Sequence, residues 1–134
     1  MPANIPATHA DLLDNPIVTI ATTGEDGYPA VAAVWFLYED GLIKTSGVSS
    51  RKWFQNAART GKATYFFTDA SGYKTLEVRG DVSVADDSSL EWMRHQFEKY
   101  DTKIEDFGDP EAPIRKVLIL TPTKVRAWGG DGAH

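Results

Sequence analysis

Apolar and polar positions alternate with a period of two along much of this chain, and short glycine-containing polar segments divide the alternation into strands. Ile17 to Thr23 is rich in β-branched residues and predicts a first strand. Gly24-Glu25-Asp26-Gly27 has turn chemistry, so a hairpin into a second strand, Pro29 to Tyr38, follows. Glu39-Asp40-Gly41 makes the next turn and Leu42 to Ser46 a third strand. Lys62 to Thr68 is a fourth, with Ala63, Tyr65 and Phe67 on one side and Thr64 and Phe66 on the other. Ala70-Ser71-Gly72 leads into a long strand, Tyr73 to Ala85, in which Gly80 predicts a bulge or bend. Lys116 to Leu120 and Lys124 to Trp128 read as two closing strands linked by Thr121-Pro122-Thr123.

Helical patterns interrupt this series in three places. Ile5 to Asp14 predicts a short leading helix with Thr8 as its cap, ended by Asn15-Pro16 because proline disfavours helix at the residue before it. A second helix opens near Ser49, continues through Lys52 to Arg59 and stops at Gly61. Ser88 and Glu91 have the spacing of a capping box, and the helix they start places Leu90, Met93, Phe97 and Tyr100 on one face. Tyr100 to Pro113 is then an acidic, exposed connection. Successive hairpins, an inserted helix and two closing strands predict a mainly β fold, a small antiparallel barrel with two or three peripheral helices. At 134 residues the expectation is one domain over 1–134.

Composition narrows the function. A hydrophobic fraction of 42% and a charged fraction of 25% belong to an ordinary globular domain. The formal net charge of -5 argues against general nucleic-acid binding, which needs a broad basic field. Without cysteine there is no disulfide, thiolate metal site or cysteine nucleophile. No signal-peptide pattern and no long apolar run occurs, so the expectation is a cytoplasmic protein with no membrane partner. His9, His95 and His134 lack metal-ligand spacing, and no metal site is expected.

Against this acidic background, Thr45-Ser46-Gly47-Val48-Ser49-Ser50-Arg51-Lys52 stands out. It joins a strand to a helix start, where unpaired backbone N–H groups and a partial positive charge favour an anion. Hydroxyls, a guanidinium and an ammonium in that place make a phosphate socket. A capped helix with two solvated basic residues is the competing reading.

With its surroundings included, the chain resembles the split β-barrel flavin and deazaflavin reductases related to pyridoxamine 5′-phosphate oxidase. The resemblance runs from about Pro16 to Asp86 and is carried by four pieces in order. They are Thr22-Thr23-Gly24-Glu25-Asp26-Gly27-Tyr28-Pro29, Val34-Trp35-Phe36, Ser49-Ser50-Arg51-Lys52 and Leu76-Glu77-Val78-Arg79-Gly80. Their form is most similar to the actinobacterial group that uses coenzyme F420, a deazaflavin hydride carrier. FMN is the alternative cofactor, and haem is bound in another branch. The resemblance implies a homodimer with the cofactor at its interface. It implies that Arg51 and Lys52 clasp the phosphate, with Ser46, Ser49 and Ser50 completing the socket. The second strand, including Ala32, Ala33, Val34 and Trp35, would lie along the flat ring.

The implied activity is hydride transfer between reduced F420 and a small organic acceptor with an activated double bond. The alternative is an FMN-binding reductase or oxidase of the same fold, or a non-catalytic flavin-, deazaflavin- or haem-binding protein. The chain departs from the oxidase proper at Ala30, where that enzyme has an arginine, and in its C-terminal Trp128-Gly129-Gly130-Asp131-Gly132-Ala133-His134, which lacks the oxidase's basic signature. Pyridoxamine phosphate oxidation is therefore not expected.

Overall fold

The computed structural model describes residues 3–100 and 114–130. Seven antiparallel strands form one sheet: β1 (Val18–Thr23), β2 (Pro29–Val34), β3 (Leu37–Glu39), β4 (Leu42–Gly47), β5 (Lys62–Thr68), β6 (Thr75–Asp86) and β7 (Lys116–Trp128). Two α-helices, α1 (Lys52–Thr60) and α2 (Glu91–Lys99), accompany a leading 3₁₀ helix, Ala7–Asp14. The mainly β expectation with three peripheral helices therefore holds.

Strand order in the sheet is β2-β1-β5-β6-β7-β4-β3. The edge strands β2 and β3 are thus consecutive in sequence, joined only through Trp35 and Phe36. A sheet whose opposite edges are tied so closely must curl, and it does so around Ile20, Phe36, Ile43, Tyr65, Phe67, Leu76, Val78, Leu118 and Leu120. Phe54 and Ala57 of α1 and Leu12 of the 3₁₀ helix extend this core. Burying a side chain of the Leu, Ile or Phe kind contributes about 1.5–3 kcal/mol.

Several expected boundaries change. The predicted second strand is two, because the chain breaks at Trp35-Phe36: Phe36 enters the core while Trp35 packs beneath α2. The two predicted closing strands are one, β7. Proline there has no N–H to give, but Pro122 faces Gly80 at a bulge, where the register passes from Arg79↔Lys124 to Gly80↔Pro122 and Thr123 becomes the extra residue. The bend expected at Gly80 is therefore shared with β7.

The leading helix is 3₁₀ and has no side-chain cap. The Thr8 hydroxyl instead pairs with His9 Nδ1 at 2.9 Å, while buried His9 Nε2 donates to the Trp128 carbonyl at 3.1 Å. Ser88 does not cap α2 either, since its hydroxyl bonds Asp86 at 2.8 Å. Asp87 takes that place, accepting from the N–H groups of Trp92 (2.8 Å) and Met93 (3.0 Å). Leu90 precedes the helix in the left-handed region at φ 64°. The expected connection beyond Tyr100 lies outside the described residues, as does His134.

Candidate functional site

Strand alternation decides which β4 side chains meet the core. Thr45 turns inward, where its hydroxyl lies 2.7 Å from that of fully buried Tyr65. Burial drives the Tyr65 phenol well above its ordinary pKa, so it stays neutral. Ser46 therefore points to the other side of the sheet. Its Oγ is buried and has no hydrogen-bond partner among the described residues. An unpaired buried hydroxyl costs about 1–3 kcal/mol, which a ligand at that position would recover.

Ser46 borders the seam of the barrel. β4 pairs with β3 only from Leu42 to Lys44, so its later residues have no strand on that side. β2, the other edge of the sheet, pairs only with β1. Between them lies a cleft of about 420 Å³. Ala32, Ala33, Val34 and Trp35 line it from β2, Ser46 and Gly47 from β4, with Arg51, Trp53 and Arg115 around them. Gly47 is needed here, because a Cβ would stand 2.7 Å from the Phe54 ring and 2.8 Å from that of Trp53.

Arg51 is the N-cap of α1, extended at φ -91° and ψ 133°, with no side-chain cap bond and no acidic residue in the first turn. Its side chain borders the cleft, whereas Lys52 turns into a separate hollow of about 380 Å³ with Asn56 and the β1–β2 turn. Ser49 and Ser50 are exposed immediately before the helix. The Ser49 carbonyl accepts from Gln55 Nε2 at 2.6 Å, which fixes the turn. Of the nine residues expected to bind cofactor, six thus meet in one cleft, two flank its helix start and Lys52 faces away.

Residues not anticipated at the site are Gly47, Trp53 and Arg115, joined beneath α2 by Met93, Gln96 and Phe97. Gln96 left a signal, a polar residue between Met93 and Phe97 on the face assigned to the core. Arg115, at the edge of an irregular connection, left none. Glu77 and Arg79 form the expected pair at 2.7 Å, on the outward side of β6. Among the described residues no group of three His, Asp or Glu could hold a metal ion, and no helix is long and apolar enough to cross a membrane.

An antiparallel barrel left open along one seam, with a basic helix start beside the opening, defines a split-barrel protein. A family profile described as pyridoxamine 5′-phosphate oxidase matches residues 5–129, and the chain belongs to that family, whose fold is that of flavin oxidoreductases. Solved structures agree on the fold. An F420 reductase is 24% identical with a TM-score of 0.79, covering 90% of this chain and 98% of its own. A conserved hypothetical protein from Mycobacterium tuberculosis is 19% identical (TM-score 0.71; 98% and 96% covered). HupZ from Group A Streptococcus is 16% identical (TM-score 0.70; 92% and 94% covered). No curated protein sequence matches the chain.

Proposed function

We propose that this protein is an oxidoreductase using coenzyme F420, and that it delivers a hydride to a small organic acceptor with an activated double bond. The observation that carries the reading is the seam, with small side chains on one wall, the unpartnered Ser46 hydroxyl on the other and an uncapped helix start beside Arg51. Ala32 and Ala33 would let a flat ring approach the open backbone of β2. Arg51, Ser49, Ser50 and the first N–H groups of α1 would hold the phosphate. Lys52 would add charge from behind the helix start. When bound, the reduced coenzyme supplies the hydride, and the chain's own work is to orient it and exclude water. The likeness to a structure called an F420 reductase supports this cofactor, with FMN as the alternative.

A second copy of the chain would complete the site. The rows Val31-Ala21-Thr64-Arg79-Lys124 and Ala33-Thr19-Phe66-Glu77-Arg126 run side by side across the outward face of the sheet. That face leaves Val31 68%, Phe66 41% and Trp128 47% exposed beside the charged Glu77, Arg79, Lys124 and Arg126, a mixed apolar and charged surface that an identical sheet could cover. Light scattering at micromolar concentration should give a dimer.

Titration of the purified protein with F420 and with FMN, followed by absorbance and fluorescence, tests the reading. The expected result is micromolar or tighter F420 binding, weaker FMN binding, and a loss of about 1.5–3 kcal/mol in Arg51→Ala. Preference for FMN would move the chemistry to the flavin branch. Binding of neither would overturn the proposal. If F420 binds but no enone or quinone oxidises its reduced form, the protein is a carrier rather than an enzyme.

A further inference from the structure

Lys99, in the last turn of α2, is placed unlike most of the described lysines. Lys44, Lys62, Lys74 and Lys116 each have Nζ within 2.8–3.7 Å of a carboxylate. Lys99 makes no ion pair among the described residues. Its Nζ instead donates to the Phe36 carbonyl at 3.1 Å and lies 3.5 Å from the centroid of the Phe36 ring, with the Tyr100 ring 5.3 Å away. The side chain is half-buried, so its amine ends between a carbonyl and two ring faces yet keeps contact with solvent. Among the described residues Asp14 is the charged group that acts on it, through its field alone. The Tyr100 phenol is held neutral, since burial raises its pKa. Withdrawal from water brings the Lys99 pKa down to about 8, and Asp14 offsets this only in part. About one tenth of the side chain is then free amine at pH 7, against fewer than about one in a thousand for an ordinary lysine.

We infer that Lys99 is a site of acyl transfer, its Nζ taking a small acyl group from an activated donor, an acyl phosphate or an acyl thioester, to leave a neutral amide beside the Phe36 ring. The lone pair of the free amine attacks the acyl carbonyl carbon, and a C–N bond forms as the C–O bond to phosphate, or the C–S bond, breaks. Phosphate or thiolate leaves with the bonding pair, and Nζ gives up a proton to water. The surroundings select this chemistry over the other reactions of an amine. An amide has no charge to withdraw from water and retains one N–H for the Phe36 carbonyl. A carbamate formed with carbon dioxide would add a negative charge within the field of Asp14. An imine formed with an aldehyde has no N–H when neutral, and when protonated it restores the charge that burial penalises. Acylation thus ends the cation–π contact while keeping the tether from α2 to the break at Trp35-Phe36.

The full-length protein is incubated with acetyl phosphate, and separately with acetyl-CoA, near pH 7.5 and near pH 9.5 (roughly one on each side of the shifted amine titration). Peptide mass spectrometry follows the acetylation of each lysine over time. Lys52 and Lys124, which make no ion pair among the described residues, are the internal references. With at least one donor, Lys99 should react about tenfold or more faster than either reference near pH 7.5. That advantage should shrink about tenfold near pH 9.5, where ordinary lysines begin to lose their protons as well. The donor that reacts faster identifies the source of the acyl group. Rates near pH 7.5 no higher than those of Lys52 and Lys124 with both donors would make Lys99 a tether only and overturn the site. An advantage of the same size at both pH values would overturn it too, since it would report exposure rather than an activated amine.

Discussion

Trp35 and Tyr100 stack with ring centroids 3.9 Å apart and planes inclined by 11°. This contact fastens the end of α2 to the break between β2 and β3. The Tyr100 hydroxyl strengthens it, donating to the Pro16 carbonyl at 2.7 Å and accepting from the Phe36 N–H at 3.1 Å. Tyr100→Phe keeps the stack and strips both bonds, leaving the amide of buried Phe36 without its partner. Urea denaturation should show a loss of about 1–3 kcal/mol. An unchanged midpoint would mean that water replaces the hydroxyl.

The start of α2 depends on Asp87 in place of a capping box. Asp87→Ala should cost about 0.5–2 kcal/mol, whereas Ser88→Ala should be close to neutral. Amide hydrogen exchange at Trp92 and Met93 is the sensitive readout. It should accelerate in the Asp87 variant and stay as it is in the Ser88 variant.

Glu39 ties the β3–β4 hairpin to α2, meeting His95 Nε2 at 2.8 Å, Lys44 Nζ at 3.1 Å and Trp92 Nε1 at 3.4 Å. The hydrogen bond to Glu39 raises the His95 pKa above its ordinary 6.5, against a smaller opposing effect of burial. Burial alone would raise the Glu39 carboxyl, but the bonds from His95, Lys44 and Trp92 prevail and hold it below 4.5. The raised His95 pKa contributes stability that is fully present below 6.5 and lost as pH rises through the folded value. The depressed Glu39 pKa contributes stability present above 4.5 and lost as pH falls through its folded value. His95→Ala should therefore be most destabilising between these two limits and approach the parent protein at alkaline pH. Because His95 is half-exposed, the difference should stay within about 1 kcal/mol. Paired thermal melts at pH 5.5 and pH 9 (roughly either side of the histidine titration) check the sign.

Gly80 faces the β7 bulge with no room for a side chain. A Cβ there would collide with the Thr121 carbonyl oxygen and come within 2.7 Å of the Leu120 side chain. Gly80→Ala should destabilise by about 1–3 kcal/mol or more, since backbone rather than a flexible side chain must yield. Gly80→Ala melting like the parent would show that the bulge can migrate.

The repeating part of the fold was legible because alternation survives wherever one strand face is buried, as in Ala63, Tyr65 and Phe67. Punctuation was less reliable. Thr121-Pro122-Thr123 resembles a turn locally, but pairing with β6 carries the strand through it. Trp35-Phe36 looks like continuous strand, although long-range order sends the two rings in opposite directions. At the candidate site, Arg51 stood out in the local sequence as a basic residue at a helix start, whereas the β2 alanines were placed there only by the family resemblance. Arg115 and Gly47 could not be read from local sequence, since each reaches the seam through the pairing of β4 with β7 and the packing of α1, neither of which leaves a local mark.

The passage from Val34 through Trp35 and Phe36 to Leu37 also makes the barrel a hoop, because the chain links the first and last strands of the sheet. Most pairings can be broken in order from one side of a ribbon, but a hoop has to be unclasped. Severing the backbone between Trp35 and Phe36 would turn the hoop into a ribbon without removing one ladder hydrogen bond. The width of the seam would then no longer be set by two residues, and the spacing between β2 and β4 at the proposed ring site would be free to vary.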